Sequence, residues 1–119
     1  MNLKEFYKEI DGDFDDVMSR MPMEKLIFKY LMKFLDDSSF TLLKEALNQG
    51  QLEEAFRASH TLKGICSNLG LTALQKAADE LTECLRQQDD QEKALALFPA
   101  VNDEYQRVKA ALMQLKESQ

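Results

Sequence analysis

The sequence predicts an all-α fold, an antiparallel up-down four-helix bundle with short additional N-terminal helices. Three observations lead there. Only four glycines and two prolines interrupt 119 residues. No stretch alternates polar and apolar residues as a half-buried strand does. In the last third, Ala94, Phe98, Val101, Tyr105, Val108, Leu112 and Leu115 recur at steps of four and three, a continuous apolar stripe on a helix. Helices joined by short connections favour antiparallel neighbours. A chain of this length suits one compact unit and is too short for a second core. Residues 1–119 are therefore read as one domain, with the bundle core at about residues 23–116.

The elements follow in order. Two short acidic amphipathic stretches cover about residues 3–10 and 13–20. An apolar segment, Met23 to Leu35, starts behind Pro22, which suits a first helical turn. Asp36, Asp37, Ser38 and Ser39 close it and open the next, Phe40 to Leu47, which stops at Asn48-Gln49-Gly50. A helix from Leu52 to Asn68 follows, and Gly70 marks the turn. Thr72 with Gln75 three residues on fits a capping box opening a helix to about Gln88, and Asp89 with Glu92 repeats that signature. Pro99 lies inside the final stripe, so that helix either kinks there or begins there afresh.

Charge and composition exclude several functions. The net charge is −6 without a basic block, which disfavours nucleic acid or an anionic membrane as partner. No apolar run is long enough to span a bilayer. Residues 1–25 carry Glu5, Glu9, Asp11, Asp13, Asp15 and Asp16 in place of a basic, then apolar, secretory signal, and a cytoplasmic location is expected. Cys66 and Cys84 have no metal-like spacing and are read as reduced thiols. Asp11, Asp13 and Asp15 imitate the start of a calcium loop. The sixth position is Asp16 where glycine is needed, and the twelfth is Pro22 where glutamate is needed. Met23, Met32 and Met113 lie in apolar segments and are read as core filling. No glycine loop that cradles phosphate and no kinase signature is present, so any phosphoryl group must come from outside.

The stretch HTLKGICSNLG, residues 60–70, stands out. It holds the chain's only histidine. On a wheel of about 100° per residue, Leu52, Ala55, Ala58, Ser59, Leu62, Ile65, Cys66 and Leu69 form a core face. His60 points the other way, with Glu53, Phe56, Arg57, Lys63, Gly64 and Ser67 within about 60° of it. Gly64 costs a helix about 1 kcal/mol relative to alanine, and on the exposed face core packing does not account for it. Lys63, one turn away, places an ammonium within reach of an anion on His60. A neutral imidazole is a nucleophile, the cation stabilises phosphate oxygens, and the bare backbone admits a bulky donor. Together they describe a phosphorylatable histidine.

These residues resemble the motif of the histidine-containing phosphotransfer (HPt) domains of multistep phosphorelays. That motif runs His, any residue, Leu or Ile, Lys, Gly, several mostly small residues, then an apolar residue and Gly. His60-Thr61-Leu62-Lys63-Gly64 with Leu69-Gly70 fits each anchor, although Ile65 and Cys66 are larger than the usual small residues. The resemblance implies that His60 carries the phosphoryl group, Lys63 steadies it and Gly64 clears space for a receiver domain. It implies two kinds of partner, a response-regulator receiver domain and a histidine kinase or hybrid kinase, and a monomeric protein. No cofactor is implied on this chain, and Mg²⁺ is expected on the receiver.

A hairpin turning at about Gly70 places Leu81 or Thr82 level with His60. Thr82 shares a helix face with Gln75, Ala78, Asp79 and Arg86, opposite Leu74, Ala77, Leu81, Cys84 and Leu85. Family members often have glutamine at the position of Thr82, and threonine has less reach. Phe56, Arg57, Ser67, Gln75, Thr82 and Arg86 are the expected partner-binding residues, with Phe56 either in a docking patch or partly in the core. Two alternatives remain at this point: a passive helical interaction module without phosphotransfer, and the excised phosphorylated domain of a chemotaxis-type histidine kinase.

Overall fold

The computed structural model describes residues 1–87 and 90–119. Among these the chain forms seven helices and no strand: α1 (Leu3–Glu9), α2 (Phe14–Arg20), α3 (Glu24–Leu35), α4 (Ser39–Asn48), α5 (Leu52–Leu69), α6 (Thr72–Arg86) and α7 (Gln91–Glu117). Helices α4 to α7 make the four-helix bundle. Each packs on the next, and α4 meets α7 to close the ring. Helices α1 to α3 lie outside it, α3 against α5 and α7, α1 against α7, and α2 against α1.

The apolar stripe of α7 is buried as its spacing predicts, from Ala94 through Val101, Tyr105 and Val108 to Leu112 and Leu115, with Phe98 half-buried. The helix runs through Pro99 without a break. Pro99 lies on the exposed side, where the carbonyl that loses its N–H donor is open to water. An aromatic cluster ties α3 and α4 to α7. Phe40 stacks on Tyr105 with ring centroids 3.9 Å apart, and Phe34 meets the same ring edge-on at 5.9 Å. Such pairs add about 0.5–1.5 kcal/mol to the burial of their area.

Two details differ from expectation, and a third falls outside the described residues. The hydroxyl of Thr72 is not an N-cap: Leu71 holds that position, and no side chain caps α6. The hydroxyl turns back toward the Gly70 carbonyl at 3.4 Å. At the other end of α6, the cap expected of Asp89 lies outside the described residues, as does Gln88. Asp90 caps α7, its carboxylate accepting the Lys93 N–H at 2.9 Å. Finally, Met23 is 61% and Met113 43% exposed, so neither fills the core, while Met32 is half-buried. Met23 precedes the first turn of α3, and Met113 follows Leu112 by one residue, which turns it about 100° away from the buried stripe.

The N-terminal helices serve the end of α5. A helix leaves its last four carbonyls without internal partners. Here all four are met. The Leu71 N–H donates to the Cys66 carbonyl at 3.0 Å, and Arg20 Nη2 donates to the carbonyls of Ser67 and Asn68 at 2.9 Å each. The Tyr7 hydroxyl donates to the Leu69 carbonyl at 2.6 Å. Gly70 turns the chain at φ +67°, and its carbonyl accepts the Asp13 N–H at 2.9 Å. Asp11 and Asp13, which imitate a calcium loop in sequence, have structural partners: Asp13 caps α2, and Asp11 pairs with Arg107 of α7 at 2.9 Å.

Candidate functional site

Helix α5 presents His60 to solvent from a rigid base. Ala55, Ala58, Ser59, Leu62, Cys66 and Leu69 bury its opposite side, with Leu52 and Ile65 half-buried at the margins. Burial pushes the Cys66 thiol up from its ordinary range, and the nearby Asp37 charge adds to the shift. Cys66 and Cys84 are both free thiols. Gly64 is exposed one turn beyond His60. Outside its own helix backbone, no described atom lies within 4 Å of the place a Cβ would occupy. Nothing within the described chain therefore demands glycine there. Gly70 is the contrast: a Cβ on it would stand 2.7 Å from the Asp13 carbonyl oxygen.

Around the imidazole, α5 and α6 assemble an aromatic and ionic cluster. The Phe56 ring meets His60 edge-to-face at 5.9 Å, and the Arg86 guanidinium lies over Phe56 at 5.2 Å from its centroid. Arg86 is held by Glu83 through two hydrogen bonds of 3.1 and 3.0 Å. Those bonds hold the Glu83 carboxyl below the usual carboxylate range, with Lys63 and His60 adding to the effect. Hydrogen bonding to Glu83 in turn raises the Arg86 guanidinium. Lys63 Nζ reaches across to Asp79 Oδ1 at 3.3 Å. Sequence reasoning gave no role to Glu83 or Asp79. Their signal was the register about Gly70 combined with the four-residue spacing that stacks them on α6.

The expected register is right: Ser59 pairs with Thr82 and Lys63 with Asp79. The expected role of Thr82 is not. Thr82 is fully buried, its hydroxyl donating to the Ala78 carbonyl at 2.7 Å and meeting Ser59 Oγ at 2.6 Å. It cannot touch a partner. The reason is that α6 is covered by both α5 and α7, so its buried side extends through Ala78 and Thr82, while Ala77 and Cys84 are half-buried. Of the other expected contact residues, Phe56 is half-buried beside His60, so it has a place both in the core margin and at the site. Arg57 is exposed but turned to Glu53 and Glu54, at 2.8 and 3.2 Å. Ser67 is exposed two turns from His60, and Gln75 is half-buried one turn beyond Asp79. Among the described residues, no three His, Cys, Asp or Glu side chains are grouped to hold a metal ion.

An exposed imidazole, a lysine one turn away and an unsubstituted stretch of helix can receive a phosphoryl group from a large donor. Comparison with known domain families matches residues 30–111 to the Hpt domain. The chain belongs to the Hpt domain family. Hpt domains are phosphotransfer modules of two-component systems and work with kinases and response regulators. The match covers α4 to α6 entirely, together with the motif at residues 60–70 and most of α7. Searches of curated proteins and of solved structures returned no match. No described helix of this Hpt domain is long and apolar enough to cross a membrane.

Proposed function

We propose that this Hpt domain is a phosphorelay intermediate in which His60 accepts a phosphoryl group from the aspartate of a response-regulator receiver domain and returns it. The observation that carries this reading is the pairing of an exposed His60 with an exposed, unobstructed Gly64 one turn away. A ring nitrogen of the neutral imidazole uses its lone pair to form the N–P bond. The P–O bond to the receiver's aspartate breaks, and the carboxylate leaves with that electron pair while the second ring nitrogen keeps its proton. Transfer of this kind passes through a loose in-line transition state, in which positioning and charge neutralisation supply most of the catalysis.

This chain's part is to hold the nucleophile still. Phe56 limits rotation of the imidazole, Lys63 supplies positive charge, and the capped end of α5 keeps the helix from fraying. The receiver supplies the acidic pocket and Mg²⁺. Residues 1–119 act as one unit in this reading, since Tyr7 and Arg20 of the first two helices bond the carbonyls that end α5. A panel of labelled phospho-receivers incubated with the protein and Mg²⁺ tests it. Label moving to the protein from at least one receiver is expected. Binding without transfer from every receiver would favour the passive interaction module.

A further inference from the structure

The cluster beside His60 contains two carboxylates and two cations, and their pairing is sorted. Glu83 gives both oxygens to Arg86, so Asp79 is the carboxylate left for Lys63. The Lys63 side chain is 26% exposed and that of Asp79 52%, so the pair bridges α5 and α6 at the surface. Lys63 is one turn from His60 on the same helix. A phosphoryl group on His60 would bring close to two negative charges to that turn. A lysine ammonium is a point charge on a flexible stem and changes partners readily.

We propose that Asp79 is a positioning residue: it holds Lys63 in the unphosphorylated protein, competes with the phosphoryl oxygens for it when His60 is loaded, and thereby shortens the phosphohistidine lifetime. This rests on the reading of His60 as the acceptor. In the loaded state the Lys63 ammonium is shared between the Asp79 carboxylate and the phosphoryl oxygens. Competition from Asp79 lowers the time Lys63 spends on the phosphoryl oxygens. Charge on those oxygens drives expulsion of the phosphoryl group, so a freed lysine prolongs the N–P bond.

Phosphoramidate, a small-molecule donor that loads an accessible imidazole without a receiver, allows the test. Wild type, Asp79→Asn, Asp79→Glu, Lys63→Ala and the Lys63→Ala/Asp79→Asn double variant are loaded, and the phosphohistidine half-life is followed by ³¹P NMR. Asp79→Asn is expected to lengthen the half-life about two- to fivefold, the range of an exposed ion pair. Asp79→Glu restores the wild-type value, and the gain from Asp79→Asn disappears when Lys63 is alanine. An unchanged half-life in Asp79→Asn, or an equal gain with and without Lys63, overturns the proposal. Failure of every receiver to load a protein that phosphoramidate does load counts against the receiver exchange alone. Absence of phosphohistidine even with phosphoramidate overturns both.

Discussion

The hydroxyls of Ser59 and Thr82 meet at 2.6 Å inside the α5–α6 interface, one residue away from the exposed His60. Both are fully buried, and Thr82 also donates to the Ala78 carbonyl. A satisfied pair of small polar groups sets how closely the two helices approach. Thr82→Val should cost about 1 kcal/mol, the usual net loss of a buried hydrogen bond. Thr82→Gln, which restores the residue often found in the family, should cost about 1–3 kcal/mol by overpacking. Urea unfolding of the three proteins checks this, and a Thr82→Gln variant of undiminished stability would contradict the buried placement.

Gly64→Ala separates stability from function. No described neighbour obstructs a methyl group there, so the substitution should stabilise the helix by about 0.5–1 kcal/mol. The same methyl stands where the donor must approach, and transfer from a phospho-receiver should slow about tenfold or more. Thermal unfolding and single-turnover transfer measure the two effects on one sample. Unaltered transfer would remove the close-approach role.

Gly70→Ala and Tyr7→Phe probe the clamp on the end of α5. A side chain at φ +67° costs about 1–2 kcal/mol, and the clash with the Asp13 carbonyl oxygen adds to it. Tyr7→Phe leaves the Leu69 carbonyl without its buried donor, at about 1–3 kcal/mol. Arg20→Ala should cost less, because Arg20 is 40% exposed and water can replace it. Amide hydrogen exchange should show the last turn of α5 opening first in all three variants.

Alkaline pH should unfold the protein through its buried acids, first the Cys66 thiol and then the phenols of Tyr7 and Tyr105. Burial raises the Tyr7 hydroxyl, opposed in part by Arg20, and raises the Cys66 thiol. A group whose folded pKa lies above its unfolded value contributes stability that is whole below the unfolded pKa and is lost as pH climbs toward the folded one. The losses therefore begin at about pH 8.5 for the thiol and about pH 10 for the phenols, with slopes up to about 1.4 kcal/mol per pH unit for each group. Cys66→Ala should flatten the first part of the decline in urea-unfolding free energy between pH 8 and 10. An identical decline in wild type and variant would show that the thiol is not the source.

Much of the site was legible because it follows local rules. The three- and four-residue spacing on α5 set its buried face, and one turn at Gly70 set the α5–α6 register. What escaped depended on more than one neighbour. Thr82 reads as polar on a wheel, yet α6 is covered on two sides, and a threonine that bonds the carbonyl four residues back is at ease in a core. Thr72 and Gln75 have the spacing of a capping box, but the helix starts one residue earlier than that pattern requires. Tyr7 and Arg20 are about 50 to 60 positions from the carbonyls they bond, and no periodicity connects them.

The phosphoryl acceptor is one side chain, His60, and following label from a phospho-receiver to that side chain tests it. Wild type and His60→Gln are incubated with the receiver and Mg²⁺, and the product is treated with acid and with alkali. Acid-labile, alkali-stable label is expected on wild type and none on His60→Gln. The two proteins should melt at nearly equal temperatures, because the side chain lies outside the core. Label that persists on His60→Gln, or that survives acid, would place the acceptor on a residue other than His60.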